Sequence, residues 1–567
     1  MTAVQTCALP ICINTSEAHV GFNAAGTISV AKIGNAGSTD SNLGKGSIIR
    51  AFSTASGSRL LYTGTGETSD RVIRLERSLT LEHAGSGTLT FSSDLDVRGN
   101  TKTLTLQGDT EGLGVLAGAV AAGSGTTSLT KRGSGTWILG GANGYAGETA
   151  IYGGGPLVLT HPAAVAGTSQ VRFYSANGLP GVLELAHDGA GEAPFNVVIG
   201  VGHNGTILSG NASGNSAGIN HVAGNLNLSS VVLTIARAAS IVSGSPAVTF
   251  GVLNLSAGSS GTTTLNPTTA DMVLGGAAIL SNGGYAKTLR LAGQTAGNRV
   301  DGVISNGLNR LSIEKTDASV WALTAANTYT GTTTVAEGTL TLAGNEGAIL
   351  ASSGITLTGG MLVLDNVAVA NANRVGDDVP VTLAGGALVF AHDGEAAENA
   401  ETLGVLNIAS GNGTVSVARA AEGQSSSLTF AALAYAGGTV NFEGEGLGED
   451  ARNRILFATP PVLRGGIIGP WAKVNGTHWA TYDPVKGVTA YIPASGSETE
   501  INARGPDSVI PDDAEKPVRI TGDGTEGHIT LAADETEVAT LTQANPTFEA
   551  KVDMAGKTLR TSAVALV

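Results

Sequence analysis

Cysteine is nearly absent from this chain of 567 residues. Its two cysteines, Cys7 and Cys12, both lie close to the N-terminus. A framework of disulfide bonds therefore cannot hold the fold together, and a metal site built from cysteines is excluded. No run of about 20 consecutive apolar residues occurs either, so the sequence predicts no membrane-spanning helix.

Charged and aromatic residues are also scarce. Charged residues make up 14% of the chain, well below the roughly 25% of ordinary soluble domains. Aromatic residues make up 4%, whereas glycine supplies 82 residues and the apolar fraction is 42%. The formal net charge of −15 argues against nucleic-acid binding, which requires concentrated lysine and arginine. This composition favours a solenoid, which buries many small side chains at short intervals.

Apolar and polar residues alternate over many short stretches, each bounded by turn-forming residues. Examples are Thr88–Phe91, Thr103–Leu106, Thr339–Leu342 and Ile355–Thr358. No stretch sustains the 3.6-residue apolar period of a helix. We therefore predict an all-β chain folded as a right-handed, single-stranded parallel β-helix, in which stacked rungs bury one another's apolar faces.

Internal repetition supports this prediction, because residues 129–160 and 313–343 match one another. The matched pairs are Lys131 and Lys315, Trp137 and Trp321, Leu139 and Leu323, Asn143 and Asn327, Tyr145 and Tyr329, and Gly147 and Gly331. Flanking matches are KTLTLQG at 102–108 with KTLRLAG at 287–293, AHDG at 186–189 and 391–394, and ARAA at 236–239 and 418–421. Two long units, of about 102–265 and 287–442, are therefore expected within a β-helix that spans 12–442.

Three further regions interrupt or flank this β-helix. Residues 443–517 hold eight of the 17 prolines, and because dense proline cannot occupy central strands, we predict a Pro-rich irregular excursion. The strand pattern resumes over 518–567.

Residues 4–11 match the translation of a common sequencing-adapter string, so residues 1–11 are expected to be a library artefact. The last seven residues resemble the middle of a strand, so both ends are expected to be truncated.

Two segments carry a family resemblance. Gly133–Ile151 reads GSGTWILGGANGYAGETAI, and Val320–Leu342 reads VWALTAANTYTGTTTVAEGTLTL. Both resemble the autotransporter-associated β-strand repeat, with its Gly-Thr-Trp/Leu-x-Leu strand and its Gly-Ala-Asn-x-Tyr-x-Gly turn. The second copy departs from the family by having DAS at 317–319, where glycine is usual. Looser similarity to long proteins with this repeat includes NLGKG at 42–46 and YTGTGETSDR at 62–71.

The resemblance implies a passenger-type β-helix that is exported across the outer membrane and located outside the cell or on its surface. The repeat is then expected to assist transport and folding, and a translocator barrel or another anchor is expected outside this chain. The implied function is a non-catalytic structural passenger region, with adhesion to carbohydrate or to a host or neighbouring cell surface as its binding role. Neither nucleic acid nor a cofactor is an expected partner.

The alternative function is a polysaccharide-active β-helix enzyme of the lyase or glycosidase type. Such a site requires clustered carboxylates with basic groups nearby. The candidates are Asp94 with Asp96, which share a strand face, and the neighbours Asp377 and Asp378. Solvated turn or face residues are the more ordinary interpretation of both pairs. Residues 202–204, Gly-His-Asn, do not match the Gly-His-Gly element of polygalacturonases.

Other candidate residues recur in both long units. His187–Asp188 and His392–Asp393 could form a dyad, but recurrence at equivalent positions favours a structural turn role. The histidines lack metal-ligand spacing, and the glycines at 153–155 do not form a phosphate-binding loop. We therefore predict no catalytic, cofactor-binding or metal-binding residue.

The aromatic residues of the repeat allow two interpretations. Trp137 and Trp321 could stack on carbohydrate, yet their equal placement after Gly/Ser-rich turns favours packing inside a rung. Tyr145 and Tyr329 are expected to support the turn that follows each repeat asparagine.

Overall fold

The computed structural model describes residues 11–14, 19–22, 26–53, 57–188, 195, 197–213, 218–244, 246–256, 260–279, 285–392, 397–492, 499–502, 508–521, 527–543, 550–561 and 564–566. These residues form β-strands joined by turns, and no helix occurs among them. The strands stack in parallel as a β-solenoid, so the prediction of an all-β parallel β-helix is confirmed. The chain divides into two compact units, residues 1–312 with 318–321, and residues 313–317 with 322–567.

The first unit contains four stacks of strands. The first stack consists of Ile11–Asn14, His19–Phe22, Ile48–Ala51, Val72–Leu75 and Asp96–Val97. The second consists of Gly26–Val30, Ser58–Tyr62, Leu79–His83, Lys102–Gln107, Thr127–Gly133, Thr149–Gly154, Val171–Tyr174, Ile199–Val201, Leu226–Leu228, Leu253–Leu255, Ala277–Ile279 and Ile304–Ser305. The third consists of Glu67–Ser69, Leu89–Phe91, Gly114–Leu116, Trp137–Leu139, Leu157–Leu159, Gly181–Leu185, Gly205–Ser209, Val232–Arg237, Gly261–Pro267 and Lys287–Leu291. The fourth consists of His221–Val222, Ala247–Phe250, Asp271–Leu274, Asn298–Val300 and Val320–Leu323.

The second unit contains stacks of the same kind. One stack consists of Leu311–Lys315, Thr333–Val335, Ile355–Leu357, Val381–Leu383, Leu406–Ile408 and Leu433–Tyr435. Another consists of Thr339–Leu342, Met361–Asn366, Ala387–His392, Asn412–Val417, Thr439–Glu443, Ala472–Val474, His478–Asp483 and Gly487–Ala490. A third consists of Glu398–Leu403, Ser425–Phe430 and Arg454–Phe457.

The C-terminal strands of the second unit form two smaller sheets. One contains Thr499–Asn502, Asp513–Thr521, Glu535–Gln543, Thr558–Thr561 and Val564–Leu566, and the other contains Val509–Ile510, Gly527–Leu531 and Ala550–Asp553. Apolar residues of these strands, among them Ile510, Val518 and Ile529, pack into a cluster of their own. Strand Asp513–Thr521 begins before the predicted position at 518 and includes Pro517, next to an irregularity in the register.

The core consists of columns of side chains that repeat from rung to rung. One column in the first unit consists of Leu81, Leu106, Lys131, Ile151, Phe173, Val201, Leu228, Leu255 and Ile279, all of them buried and in register. Adjacent strands lie about 4.8 Å apart, so each side chain packs against its equivalents above and below. A strand of three to six residues cannot bury its inward face alone, and this stacking supplies the missing contacts.

The proline-rich region contains the clearest change of strand direction. Ala472–Val474, His478–Asp483 and Gly487–Ala490 pair with one another in antiparallel fashion, whereas the strands that precede them in the same stack pair in parallel. Antiparallel strands can follow one another through short turns, because they need no crossover connection. Ile467, Trp479 and the half-buried Tyr491 pack together beside these strands.

Candidate functional site

The two repeats place equivalent lysines in equivalent cages. Lys131 is fully buried, and its Nζ donates to the carbonyls of residues 132, 133 and 155 at 2.9–3.2 Å. Lys315 is equally buried, and its Nζ donates to the carbonyls of residues 316, 317 and 337 at 2.6–3.1 Å. Burial lowers the pKa of each ammonium group to about 8. Three carbonyls match the three N–H donors of a charged lysine, so each cage joins two rungs through one side chain.

The repeat tryptophans also lie inside the rungs. Trp137 and Trp321 are 1% and 0% exposed. Their Nε1 atoms donate to the carbonyls of Gln107 at 3.0 Å and Ala292 at 2.9 Å, two residues that align in the sequence repeat. The rings are therefore unavailable to a carbohydrate, and packing within the rung is their role.

The repeat tyrosines belong to chains of buried hydroxyl groups. The Tyr145 hydroxyl lies 2.7 Å from Thr149 Oγ1, which donates to Thr168 Oγ1 at 3.0 Å. The Tyr329 hydroxyl lies 2.7 Å from Thr333 Oγ1, and Ser352 Oγ lies 3.0 Å further on. Burial raises the pKa of both phenols. The hydroxyl chains satisfy polar atoms in the core, as such groups require.

The repeat asparagines hold the next rung at the turn before each tyrosine. Asn143 Nδ2 donates to the carbonyl of Ala164 at 2.7 Å. Asn327 Nδ2 donates to the carbonyl of Ala348 at 3.0 Å, and in both repeats the acceptor lies 21 residues after the asparagine. Both asparagines are buried. The resemblance seen in the sequence therefore extends to individual hydrogen bonds.

His187 and Asp188 follow strand Gly181–Leu185, whereas His392 is the last residue of strand Ala387–His392. Asp188 Oδ1 accepts the backbone N–H of Ala212 at 2.8 Å, which is a turn role. The ring of His187 makes an edge contact with Phe195. His392 is buried, with its Nε2 2.9 Å from Ser426 Oγ, and Asp393 lies outside the described residues.

The acidic candidates do not converge on one cleft in the described part of the chain. Asp94 Oδ1 accepts the N–H of Ala119 at 2.7 Å. Asp96 accepts from Arg74 Nε at 2.7 Å and Arg98 Nε at 2.9 Å, so its carboxylate belongs to a row of surface ion pairs. Both Asp377 and Asp378 are exposed, as is His203, which lies 6.4 Å from the ring of Tyr174.

A buried arginine organises the N-terminal part of the first unit, and the sequence interpretation missed this role. Arg71 is 0% exposed, and its guanidinium donates to four carbonyls and one hydroxyl. These acceptors are the carbonyls of Gly34, Asn35, Gly44 and Gly46 and the hydroxyl of Ser41. Glu67 accepts the N–H groups of Ile33 at 2.6 Å and Gly34 at 2.7 Å. We call this group the Arg71 clamp. It joins the segments NLGKG at 42–46 and YTGTGETSDR at 62–71. The similarity of these two segments to long proteins with the repeat was the feature of the sequence that could have indicated the clamp.

A second buried arginine makes a similar arrangement in the second unit. Arg374 is 0% exposed and donates to Asn366 Oδ1 and to the carbonyls of Gly344, Gly347 and Val369. The Glu401 carboxylate accepts the N–H groups of Arg374 at 3.1 Å and Val375 at 2.8 Å. Burial raises the pKa of Glu401 to about 7, although these hydrogen bonds oppose the rise. No sequence motif indicated this second clamp.

The raised pKa of Glu401 predicts a pH-dependent stability. Between its ordinary value of 4.5 and about 7, the folded chain keeps a proton that the unfolded chain has released. The free energy of unfolding should therefore fall as the pH rises through this window, by at most about 1.4 kcal/mol per pH unit. Urea unfolding at several pH values gives the slope of the free energy of unfolding against pH. The slope of the wild type is then compared with that of Glu401→Gln.

Glu398→Gln is the matched control, because Glu398 lies exposed on the same strand. This variant should keep the wild-type slope. If Glu401→Gln also kept it, a carboxyl group elsewhere would be responsible for the pH dependence.

Within the described ranges, no group of three or more His, Cys, Asp and Glu side chains could hold a metal ion. The same ranges contain no helix that is long and apolar enough to cross a membrane.

Comparison with known proteins agrees with the geometry of the repeats. Residues 129–155 and 313–342 match the family model of the passenger-associated-transport-repeat. The chain is also 36% identical, over 130 residues, to the adhesin BmaC autotransporter of Brucella suis biovar 1 (strain 1330). The aligned region covers 22% of this chain and 4% of that adhesin. No solved structure matches the chain. These findings confirm the resemblance: the chain carries two autotransporter passenger repeats.

Proposed function

We propose that this chain is a non-catalytic, adhesive passenger region of an autotransporter-like protein, displayed outside the bacterial cell or on its surface. The observation that carries the proposal is that the polar atoms of the repeat side chains are hydrogen-bonded inside the stack of rungs. Lys131 and Trp137 donate to carbonyls of neighbouring rungs, and the Tyr145 hydroxyl bonds the buried Thr149; their equivalents in the second repeat do the same. Such residues hold the stacked rungs together and leave the outer faces for contacts.

The similarity to an adhesin supports the binding part of the proposal. The partner would be a carbohydrate or another component of a host or neighbouring cell surface. A net charge of −15 makes nucleic acid an unfavourable partner, because phosphate groups would be repelled. The acidic residues considered for catalysis bind backbone N–H groups and arginines or lie exposed in turns, which supports a structural function over a polysaccharide-cleaving one.

Surface display tests this function. We expect a non-adherent bacterial strain that displays the whole chain on a heterologous anchor to bind cultured epithelial cells better than the same strain displaying an unrelated soluble domain. Adherent bacteria are counted after washing, at matched surface expression. Equal adherence of the two strains would contradict the adhesive role. Release of new reducing ends from polysaccharides by the purified chain would favour the enzymatic alternative.

A further inference from the structure

A groove with an aromatic wall lies in the second unit, between parallel strands and residues 470–476 of the proline-rich region. Its volume is about 460 Å³, within the range of small-molecule sites. Residues 412–414 and 439–441 form the floor, Pro470 and Trp471 form one wall, and Lys473 lies at the same level. None of these residues belongs to the two passenger repeats.

The wall offers a stacking surface that is partly open to solvent. The Trp471 ring lies parallel to the Tyr435 ring, with centroids 4.2 Å apart and an interplanar angle of 8°. Tyr435 is 50% exposed, and Trp471 is half-buried. Trp137 and Trp321 lie inside the rungs, so Trp471 differs from them in facing a cavity. Aromatic rings held in this way are rigid, amphipathic contact surfaces for a ligand.

The floor presents donors that form no hydrogen bond in the described part of the chain. They are the amide Nδ2 of Asn412, the hydroxyl of Thr414 and the ammonium of Lys473, whose Nζ lies over the Trp479 ring at 5.8 Å from its centroid. The Asn412 oxygen is held, because it accepts from Thr439 Oγ1 at 2.8 Å. The amide orientation is therefore set, and its nitrogen is available as a donor. A few placed polar groups beside an apolar wall are the usual design of a site for a hydroxyl-rich ligand.

The register of the strands makes the groove elongated. Thr414, Asn441 and Lys473 occupy one register position on three successive rungs, spaced about 4.8 Å apart. A neighbouring depression of about 230 Å³ shares Asn412 and Thr414 and continues over Gly386. The polar groups therefore follow a line along the stack, which suits an extended chain better than a compact molecule.

The charge of the groove is opposite to that of the whole chain. Lys473 is the one charged residue among those that line it, and no carboxylate does so. The neighbouring Glu443 accepts from Asn441 Nδ2 at 2.6 Å. In a chain with a net charge of −15, a cation in a groove without lining acids favours an anionic ligand.

We propose that this groove binds an acidic polysaccharide, with Trp471 stacking on a sugar ring and Lys473 pairing with a uronate carboxylate. The inference rests on the proposed adhesive function and names its ligand class. The proposed role of the groove is to bind the glycan without cleaving it.

Calorimetry on the whole chain tests the proposal with two probes, a galacturonate hexasaccharide and the neutral cellohexaose. The wild type should bind the acidic probe more tightly. Trp471→Ala should weaken binding of the acidic probe by about 30-fold, as loss of a central aromatic contact does. Lys473→Gln should weaken it by about fivefold and leave the affinity for the neutral probe unchanged. Asn412→Asp, which adds a carboxylate to the floor, should also weaken binding of the acidic probe.

Tyr285→Ala is the matched control, because Tyr285 is 49% exposed and lies outside the groove. Its affinity should equal that of the wild type. No binding of the acidic probe, or an unchanged affinity in both Lys473→Gln and Asn412→Asp, would overturn the proposal. Shortened probe after incubation would overturn binding without cleavage. Adherence of displayed wild-type chain, together with a failure to bind the acidic probe, would refute this inference alone and leave the adhesive function standing.

Discussion

Replacing Trp137 with alanine should lower the free energy of unfolding by about 3–5 kcal/mol, the range for a large buried aromatic side chain. Trp137 is 1% exposed, and the ring occupies a rung interior in which few other aromatic residues are present. Truncation would leave a cavity. It would also remove the donor that Nε1 provides to the carbonyl of Gln107, and a buried acceptor left unpaired adds to the loss. Urea unfolding followed by circular dichroism measures the change.

Gly114 allows a second measurement of the same packing. It pairs with Trp137 on the adjacent rung, and a Cβ added there would lie 2.5 Å from Cδ2 of the Trp137 ring. Gly114→Ala should therefore destabilise the wild type by about 1–3 kcal/mol through overpacking. In the Trp137→Ala background the same change should cost less, because the methyl group can occupy part of the vacated space. Strictly additive effects in this double-mutant cycle would show that the ring and Gly114 do not pack as described.

Replacing Arg71 with leucine should cost about 3–5 kcal/mol, comparable to the loss of one partner from a buried charged network. The carbonyls of Gly34, Asn35, Gly44 and Gly46 would lose their donor. Arg71→Lys should recover little of this stability, because an ammonium cannot reach several acceptors with the planar geometry of a guanidinium. The segment around Lys45 should then open, and trypsin should cleave it faster.

Arg299→Leu is the control for the clamp, because Arg299 is half-exposed and pairs with Asp301 on the surface. A surface ion pair of this kind contributes about 1 kcal/mol or less. Comparable destabilisation by both substitutions, or wild-type resistance of Arg71→Leu to trypsin at Lys45, would contradict the role assigned to Arg71.

Much of the repeat architecture could be predicted because it is local and periodic. Alternation of apolar and polar residues determines which side chains of a short strand face inward. The equal spacing of Trp137 and Tyr145 in one repeat and of Trp321 and Tyr329 in the other therefore implied equal environments. In the structure the two tryptophans make equivalent contacts, and so do the two tyrosines, including the hydroxyl chain that begins at each tyrosine. Even so, the sequence did not indicate that Lys131 would be buried with its ammonium group bonded to three backbone carbonyls.

The sequence by itself determined the all-β class, the stacking of short rungs and the equivalence of the two repeats, since each follows from side-chain period and from residues a few positions apart. Only the tertiary structure decided which polar residues lie inside and which surfaces carry unused donors. Arg71 contacts residues 25–37 positions away in the chain. The groove combines Asn412, Thr439 and Lys473 from successive rungs. The number of residues in each turn sets such neighbours, because an extra residue in one turn shifts every later position relative to the rung below. The alternation pattern within one strand does not show how these shifts add up along the chain. Only the stacked structure shows which residues become neighbours.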